Sequence, residues 1–368
     1  MMHRLVKSIF VVGVMMCGAA CYGQDVFESH KHLFSTPRHY QAIYTNVPPV
    51  IDGNISADPA WASVPWSELF VDIEGQKKPK PHYDTRMKIT WNDSMLFIAA
   101  RLQEPHIWAT LKRHDAIIYH DNDFEVFIDP DNDTHQYFEI EINALNTILD
   151  LFMPKPYRNW AGALISYDVP QLRTAVGIQG TINDPSDTDS SWTVEMAIPF
   201  RALFIGNSWR SPSEGALWRI NFSRVQWETE VREGVYIRKK DANGKVLSEY
   251  NWVWSPQGVI NMHYPERWGY VQFLRKAGSD FKLPYTELQR RHLWLVYYKQ
   301  KEYFGKQRHY APSLKALGIN SSGLKIEGIE NILKMESTSN QFTVYIGHDK
   351  SVLSVNEQGF IQSQNKIP

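Results

Sequence analysis

The chain has 368 residues, and its 43% hydrophobic content, with 13 Trp and 18 Tyr, is typical of a globular protein with a large core and excludes a disordered chain. A formal net charge of -1 and the lack of a basic stripe argue against nucleic acid as a partner. After the first 23 residues no stretch approaches the roughly 20 apolar residues that cross a bilayer. We therefore expect no transmembrane segment in the mature chain.

Residues 1–23 have the pattern of a secretory signal peptide. A basic start precedes an apolar run over residues 9–20 that is too short to span a bilayer. Cleavage after Gly23 would remove Cys17 and Cys21, so the mature chain would contain no disulfide and would depend on its core. The run Gly18-Ala19-Ala20-Cys21 also resembles a lipobox, which leaves lipid attachment at Cys21 as an alternative. The expected location is the periplasm, the cell surface or the extracellular medium.

Short alternating strands, separated by clusters of Gly, Pro and Asp, follow along residues 25–276. The first, at residues 48–53, ends in a turn, and Trp61 is expected to close one end of the fold. Pro199 to Leu203 is the expected short helix. The pattern predicts one mainly β domain, an antiparallel β-sandwich of the jelly-roll type. The other predicted strands are 87–91, 95–102, 124–128, 138–143, 172–181, 191–198, 217–227 and 269–274.

The segment YHDNDFEVFIDPDNDTHQYFEIEINALN, residues 119–146, predicts a hairpin with carboxylates on one face. Phe124, Val126 and Ile128 point to one side of the first strand, and Glu125 to the other. The second strand repeats this alternation, and residues 129–133 have the composition of a turn. We expect one face of the hairpin to be wet and to present three glutamates to a ligand: Glu125, Glu139 and Glu141.

Residues 281–368 predict a small α+β appendage. A helix begins at Pro284 and ends at Gly305, and three antiparallel strands follow at 324–335, 341–346 and 351–355. Because the helix is apolar on a broad face, we expect it to cap the sandwich, with the small sheet beside it. The segment 297–319 is also similar to the globular part of type IV pilins, which is the alternative.

Several segments, in this order, carry a resemblance to a known family: PVIDG at 49–53 with Trp61, KITWNDSMLFIAARLQEP at 88–105, DNDFEVFIDPDND at 121–133 with FEIEIN, and PERWG at 265–269. Over about residues 40–274 the chain resembles carbohydrate-binding module family 9. The resemblance implies a β-sandwich with structural calcium, found with polysaccharide-degrading enzymes or alone in secreted proteins. It also implies that a sugar lies between two aromatic rings while charged side chains bind its hydroxyls.

The resemblance assigns roles to individual positions. Tyr119 corresponds to the first aromatic ring, and Glu125 corresponds to a sugar-binding glutamate. The family's arginine on the next strand has no match, because this chain has Glu139 and Glu141 there. The second ring would have to come from a tryptophan of the 252–254 segment, although core packing is the alternative role for any tryptophan. The expected carbohydrate-binding residues are Tyr119, Glu125, Glu139, Glu141, Asn143, Trp252 and Trp254.

The acidic loops suggest a second kind of site. Ca²⁺ takes about six to eight oxygen ligands, and aspartates are closely spaced on both sides of the first hairpin strand. Thr134 stands where an EF-hand loop needs Gly, so an EF-hand is excluded, and plain turn chemistry is the alternative. The expected ligands of a structural calcium ion are Asp121, Asp123, Asp129, Asp131 and Asp133.

Three functions are compatible with these residues. The first is a secreted protein that binds a poly- or oligosaccharide in glycan breakdown, without catalysis, beside glycan-degrading enzymes of the envelope. The second is a glycoside hydrolase that uses Glu125 with Glu139 or Glu141, since that chemistry needs two carboxyls about 5 to 10 Å apart. The third is a structural or interaction protein of the envelope that uses residues 284–364. We expect the first.

Overall fold

The computed structural model describes residues 28–367, apart from 206–210, 279, 321, 349–350 and 365–366. The predicted signal peptide, with both cysteines, lies outside the described residues. The described chain is mainly β, with many short turns and two α-helices, α1 (Pro59–Ala62) and α2 (Tyr285–Gln307). No helix in this part of the chain is long and apolar enough to cross a membrane.

Twelve strands of the region 39–274 join one sheet. Ten of them follow the order β7-β6-β5-β10-β14-β1-β3-β4-β9-β8, with β13 and β2 attached to β10, while β11 and β12 form a separate hairpin. The strands are β1 (His39–Tyr44), β2 (Val71–Asp72), β3 (Thr85–Trp91), β4 (Met95–Gln103), β5 (Asp123–Asp129), β6 (Tyr137–Asn143), β7 (Ile148–Met153), β8 (Arg173–Gln179), β9 (Ser191–Pro199), β10 (Leu217–Gln226), β11 (Thr229–Arg232), β12 (Val235–Arg238), β13 (Tyr250–Val253) and β14 (Gly269–Leu274).

The sheet curls until its two ends enclose one core. Ile140 of β6, Val194 of β9 and Phe273 of β14 belong to the same cluster of buried side chains, although their strands are far apart in the sheet. This confirms the predicted sandwich. One feature differs from prediction, because β1 pairs in parallel with both β14 and β3. Parallel pairs require long crossover connections, and an alternating pattern contains no information on strand direction.

The segment around Gly53 does not form the expected strand. The backbone N–H groups of Asp52 and Gly53 donate to Glu195 Oε2, at 3.2 and 2.6 Å, instead of pairing with a neighbouring strand. Trp61 is fully buried in α1 and donates from Nε1 to Glu195 Oε1 at 2.6 Å. Trp61 is therefore buried as predicted, and the buried Glu195 carboxylate holds the neighbouring loop at Gly53.

The hairpin formed by β5 and β6 has the predicted alternation of its side chains. Glu125 lies opposite Glu141, and Phe127 lies opposite Glu139. The expected wet face is wrong, however, since every residue of both strands is buried. A second apolar cluster, which includes Ile118, covers the carboxylate face and accounts for this burial. Three glutamates consequently stand on a covered face of the sheet.

The appendage is α2 packed on a five-stranded antiparallel sheet. The helix continues two residues past the predicted stop at Gly305 and ends before Arg308, which has a left-handed φ of 63°. A tight turn at Gly328 divides the strand predicted over 324–335 into two, and the final strand was not predicted. The strands are β15 (Leu324–Ile326), β16 (Ile329–Ser337), β17 (Phe342–His348), β18 (Ser351–Asn356) and β19 (Ile361–Gln364).

Buried polar contacts join the appendage to the sandwich. Glu287 of α2 accepts from Arg219 of β10 at 2.8 Å and from the Tyr270 hydroxyl at 2.9 Å. Its other oxygen accepts from Asn132 at 3.0 Å and lies 3.1 Å from Arg290 Nε. We call these five residues the junction network. Separate folding of residues 25–276 and 281–368 stays a prediction.

Candidate functional site

A cavity of about 390 Å³ opens on the carboxylate side of β5 and β6, and we call it the carboxylate pocket. Among the described residues that line it, none is Lys or Arg. A second cavity, of about 570 Å³, shares Glu249 and Asn251 with it, so that the two form adjoining depressions. The lining of the carboxylate pocket is Ile117, Tyr119, Glu125, Phe127, Glu139, Glu141, Leu149, Leu151, Tyr157, Ile165, Val225, Glu249, Asn251, Met262 and His263.

The floor of the pocket holds buried carboxyl groups that repel one another. Burial is the largest cause that raises the pKa of Glu125, to about 7. Burial, followed by repulsion from Glu141 and Glu125, raises the pKa of Glu139 well above its ordinary range. The pKa of Glu141 is raised by burial and by Glu125, and that of Asp123, directly behind the floor, by burial and both of these glutamates. The protein therefore concentrates acidic groups here without neutralising them.

His263 does not supply the missing positive charge. Burial, with repulsion from Arg158, lowers the pKa of the His263 imidazole to about 4, so the ring is neutral near pH 7. Its Nδ1 atom lies 2.8 Å from the Tyr137 hydroxyl, and its Nε2 atom lies 3.7 Å from Glu139. His263 is thus a neutral residue of the pocket lining whose ring nitrogens can form hydrogen bonds.

Two tyrosines stand at the pocket with much of their surface in solvent. Tyr119 is 40% exposed and Tyr157 is 46% exposed, whereas most aromatic side chains of the sandwich are buried. The backbone of Tyr119 is fixed, because its N–H donates to Glu141 at 3.0 Å and its carbonyl accepts from Trp227 at 2.8 Å. Tyr157 follows β7 and rests edge-on against His263 at 4.4 Å between centroids. Both side chains are therefore partly accessible to a ligand in the pocket.

Three buried oxygens at the floor lack a hydrogen bond. Asp123 Oδ2, Glu125 Oε2 and the Ser223 hydroxyl are enclosed and have no partner of normal geometry. The other oxygen of Asp123 accepts from the Val225 N–H at 3.0 Å. Carboxylate oxygens of Asp123, Glu125 and Glu141 lie within 4.8 Å of one another. Since buried polar groups are almost always paired, these oxygens mark a place where a ligand is expected.

Three predicted sugar-binding residues have structural positions. Trp252 and Trp254 are 2% and 0% exposed and belong to the sandwich core, although Trp252 also lines the adjoining cavity. Asn143 is fully buried and organises a turn, accepting from the N–H groups of Leu145 and Thr147 at 3.0 Å each. None of the three lines the carboxylate pocket, and a role for them in sugar binding stays a prediction.

The five predicted calcium ligands are divided among three places. Asp121 accepts four hydrogen bonds, from the N–H and hydroxyl of Thr110, the N–H of Leu111 and the amide of Asn143. It therefore holds the loop at residues 110–111 in place. Asp123 belongs to the floor of the pocket. The remaining three aspartates, at 129, 131 and 133, have oxygens within 4.8 Å of one another at the hairpin turn.

The turn group fits calcium less well than its composition indicates. Both oxygens of Asp129 accept backbone N–H groups, from Asn132 at 3.0 Å and from Thr134 at 2.9 Å. These are the bonds of an ordinary turn, and Asp131 is exposed. Calcium at Asp129, Asp131 and Asp133 stays a prediction.

A further acidic group surrounds His114. Its Nε2 atom lies 2.8 Å from Asp168, 3.5 Å from Asp115 and 3.7 Å from the buried Asp150. The hydrogen bond to Asp168 is the largest cause that raises the pKa of His114. These carboxylates therefore favour the protonated form of the imidazole.

Sequence reasoning missed Tyr157 and His263 as pocket residues, and Ser223 as the neighbour of Glu125. Tyr157 lies 32 positions after Glu125, in a 3-10 turn that follows Pro156, and only its place in a polar loop hinted at exposure. Ser223 is brought to Glu125 by the pairing of β10 with β5, which joins segments about 100 residues apart. Such long-range pairing has no local signal.

The chain matches a known family. The profile of the family described as Carbohydrate family 9 binding domain-like matches residues 51–251, and the chain belongs to that family. No curated protein matches the chain significantly. The chain is similar to a family 9 carbohydrate-binding module from Caldicellulosiruptor kristjanssonii in complex with glucose, with 16% identity, a TM-score of 0.38, and coverage of 67% of this chain and 100% of that one. The cellotriose complex of a family 9 module from the same organism gives 14% identity, a TM-score of 0.39 and the same coverage.

Proposed function

We propose that this protein binds a poly- or oligosaccharide in the carboxylate pocket and does so without cleaving it. The observation that carries the proposal is one cavity in which two half-exposed tyrosines stand over a floor of glutamates. The family to which the chain belongs is one of binding domains. The proposed contacts are therefore those of recognition.

The lining matches the chemistry of a sugar ring. The C–H face of a pyranose stacks on an aromatic ring, and Tyr119 and Tyr157 are both partly accessible in the pocket. Sugar hydroxyls donate well to carboxylates, and Glu125, Glu139 and Glu141 offer several acceptor oxygens. A cavity of about 390 Å³ holds one or two sugar rings. The adjoining cavity gives room for further rings, which favours an oligosaccharide over a monosaccharide.

The N-terminal sequence supports a role outside the cytoplasm. Export through the predicted signal peptide would place the pocket in the periplasm, at the cell surface or in the medium, where glycan-degrading enzymes are the proposed partners. In the alternative, a lipid on Cys21 would anchor the exported protein to a membrane. Mass spectrometry of the protein from its host decides between them, because cleavage after Gly23 and lipidation of Cys21 give chains of different mass.

The test is a glycan array probed with purified protein, followed by calorimetry on the best glycan. Tyr119→Ala and Tyr157→Ala each remove one stacking surface and should weaken binding by about 1 to 3 kcal/mol, with little change in melting temperature. Tyr345→Ala, on β17 of the appendage, is the control and should bind as wild type. An array without hits, or equal affinity in all three variants, would contradict the proposal.

A further inference from the structure

We propose that a calcium ion binds at the floor of the carboxylate pocket, held by Asp123, Glu125 and Glu141 with the Ser223 hydroxyl beside them. The remaining coordination positions of the ion face the cavity, where hydroxyls of the bound glycan fill them. The second half of this inference rests on the proposed function, whereas the first half does not.

Strand pairing brings the four donors together. Glu125 on β5 lies opposite Glu141 on β6 and, on its other side, opposite Ser223 on β10. Asp123 lies two residues before Glu125 and therefore shares its face of the sheet. Ca²⁺ binds oxygens at about 2.3 to 2.6 Å, so two ligands of one ion stand at most about 5 Å apart. The carboxylate oxygens of Asp123, Glu125 and Glu141 meet this condition, since they lie within 4.8 Å of one another.

Unpaired oxygens point to an ion independently of the acidic cluster. The Ser223 hydroxyl is fully buried, carries no charge, and makes no hydrogen bond of normal geometry, although it lies close enough to Glu125 to lower the pKa of that carboxyl. Asp123 Oδ2 and Glu125 Oε2 are in the same condition. Leaving such groups unpaired in the interior is unfavourable, and more so when they are charged. One cation would satisfy all three.

The described chain supplies no cation that pairs directly with these carboxylates. No Lys or Arg lies among the described lining residues, and the salt bridges of the described chain include none to Asp123, Glu125 or Glu141. The Arg224 guanidinium is close enough to attract Asp123, but it is paired with Glu104 at 2.9 Å. A direct cationic partner for the three carboxylates would therefore come from outside the described chain.

The donor set favours calcium among the metal ions. All four proposed donors are oxygens, and neither a thiolate nor an imidazole belongs to the group, which disfavours zinc and copper. Glu125 and Glu141 line the cavity, whereas Asp123 does not. An ion that touches Asp123 is therefore enclosed on one side and open towards the cavity on the other, as a bridge to a ligand requires.

The test is calorimetric titration of CaCl₂ into EGTA-stripped, dialysed protein, with MgCl₂ as the second metal. Asp123→Asn keeps the oxygen that accepts from Val225 and removes the charge, so the fold should be retained. Asp131→Asn, an exposed member of the turn group, is the matched control. We expect Asp123→Asn to weaken calcium binding at least about tenfold and Asp131→Asn to leave this site unchanged.

Thermal melts provide a second readout. Without metal, Asp123→Asn should melt at or above the wild-type temperature, because it removes a buried repulsive charge. With calcium, wild type should rise and Asp123→Asn should not. Ser223→Ala, which removes only the hydroxyl, should weaken calcium binding by a smaller factor and remains informative if Asp123→Asn fails to fold. Wild-type calcium affinity in both pocket variants, or loss of the site in Asp131→Asn alone, overturns the proposal.

Glycan binding separates this inference from the proposed function. If both hold, calcium strengthens glycan binding, and the glycan strengthens calcium binding by the same factor. A blank glycan array with calcium bound through Asp123 would contradict only the function. Glycan binding that is equal in EGTA and calcium would contradict only the bridging ion. Calcium-independent binding of glucosamine oligomers would show instead that an ammonium group neutralises the floor.

Discussion

The junction network and the carboxylate pocket both bury acidic groups, but they treat the charge in opposite ways. At the junction, Arg219 and Arg290 reach Glu287 at 2.8 and 3.1 Å, and their attraction outweighs the effect of burial, so the pKa of Glu287 is lowered. In the pocket, burial and mutual repulsion raise the pKa of Glu139 and Glu141. The Glu287 carboxylate has cationic partners within the chain, whereas the pocket glutamates have none among the described salt bridges to Lys or Arg.

This contrast separates structure from function inside one protein. Burying a charge is expensive unless a partner compensates for it, and the junction shows that this fold can supply such partners. The pocket keeps its unpaired carboxyls beside exposed tyrosines, which is the place where a ligand can supply the missing partners. Under the proposed function, unpaired burial is tolerated here because recognition of the glycan needs it.

The largest change in the free energy of unfolding is expected when the junction network is broken. Glu287→Gln preserves the shape of the side chain but leaves Arg219 buried without its counter-ion, so the free energy of unfolding should fall by about 3 to 5 kcal/mol. Urea denaturation measures this change. Glu230→Gln, which breaks an exposed pair with Arg232, is the control and should cost less than about 1 kcal/mol. Equal, small losses in both variants would break the comparison.

The next largest effect is the change of stability with pH that Glu125 causes. In metal-free protein the pKa of Glu125 is about 7, against 4.5 in an unfolded chain, so the native state binds the extra proton between these values. Its contribution to stability is complete below pH 4.5 and is lost as the pH rises through about 7, by up to about 3 kcal/mol.

Subtracting the Glu125→Gln profile from the wild-type profile in EGTA gives this contribution together with the coupling of Glu125 to its acidic neighbours, because groups outside the pocket cancel. For Glu287 the sign is opposite, since its lowered pKa gives stability that is present above pH 4.5 and is lost as the pH falls. Difference profiles with the same slope for Glu125→Gln and Glu287→Gln would contradict the two pKa directions.

The smallest effect concerns the segment between the sandwich and the appendage. Limited proteolysis should cut between Lys276 and Asp280, where the described residues are exposed. Because the junction network remains intact, the two fragments should elute together in gel filtration. The same cut in Glu287→Gln should release them. Fragments of wild type that separate at once would show that the junction contributes little.

The sequence predicted the sandwich, and the alternation of Glu125 with Phe124 and Val126 was correct, because period-two patterns follow directly from strand geometry. It did not predict that the carboxylate face would be covered. Covering depends on segments such as the one around Trp268, which are distant in sequence. Local patterns contain no information on what packs above a sheet.

The aromatic positions show the same limit. Tyr119 and Trp254 were both expected at the sugar site from the family resemblance, but only Tyr119 is exposed. A tryptophan in an alternating strand has the same pattern whether its ring faces a ligand or the core. Tyr157 became visible only when the turn after β7 placed it beside His263.

The measurement that tests the central claim most directly compares glycan affinity with folding stability in Glu139→Gln. Glu139 lines the pocket, and the proposed calcium ligands do not include it. We predict that the dissociation constant of the best array glycan rises about tenfold or more, while the free energy of unfolding stays equal or increases. An unchanged dissociation constant with a loss of several kcal/mol in stability would show that the pocket carboxylates serve the fold, contrary to this account.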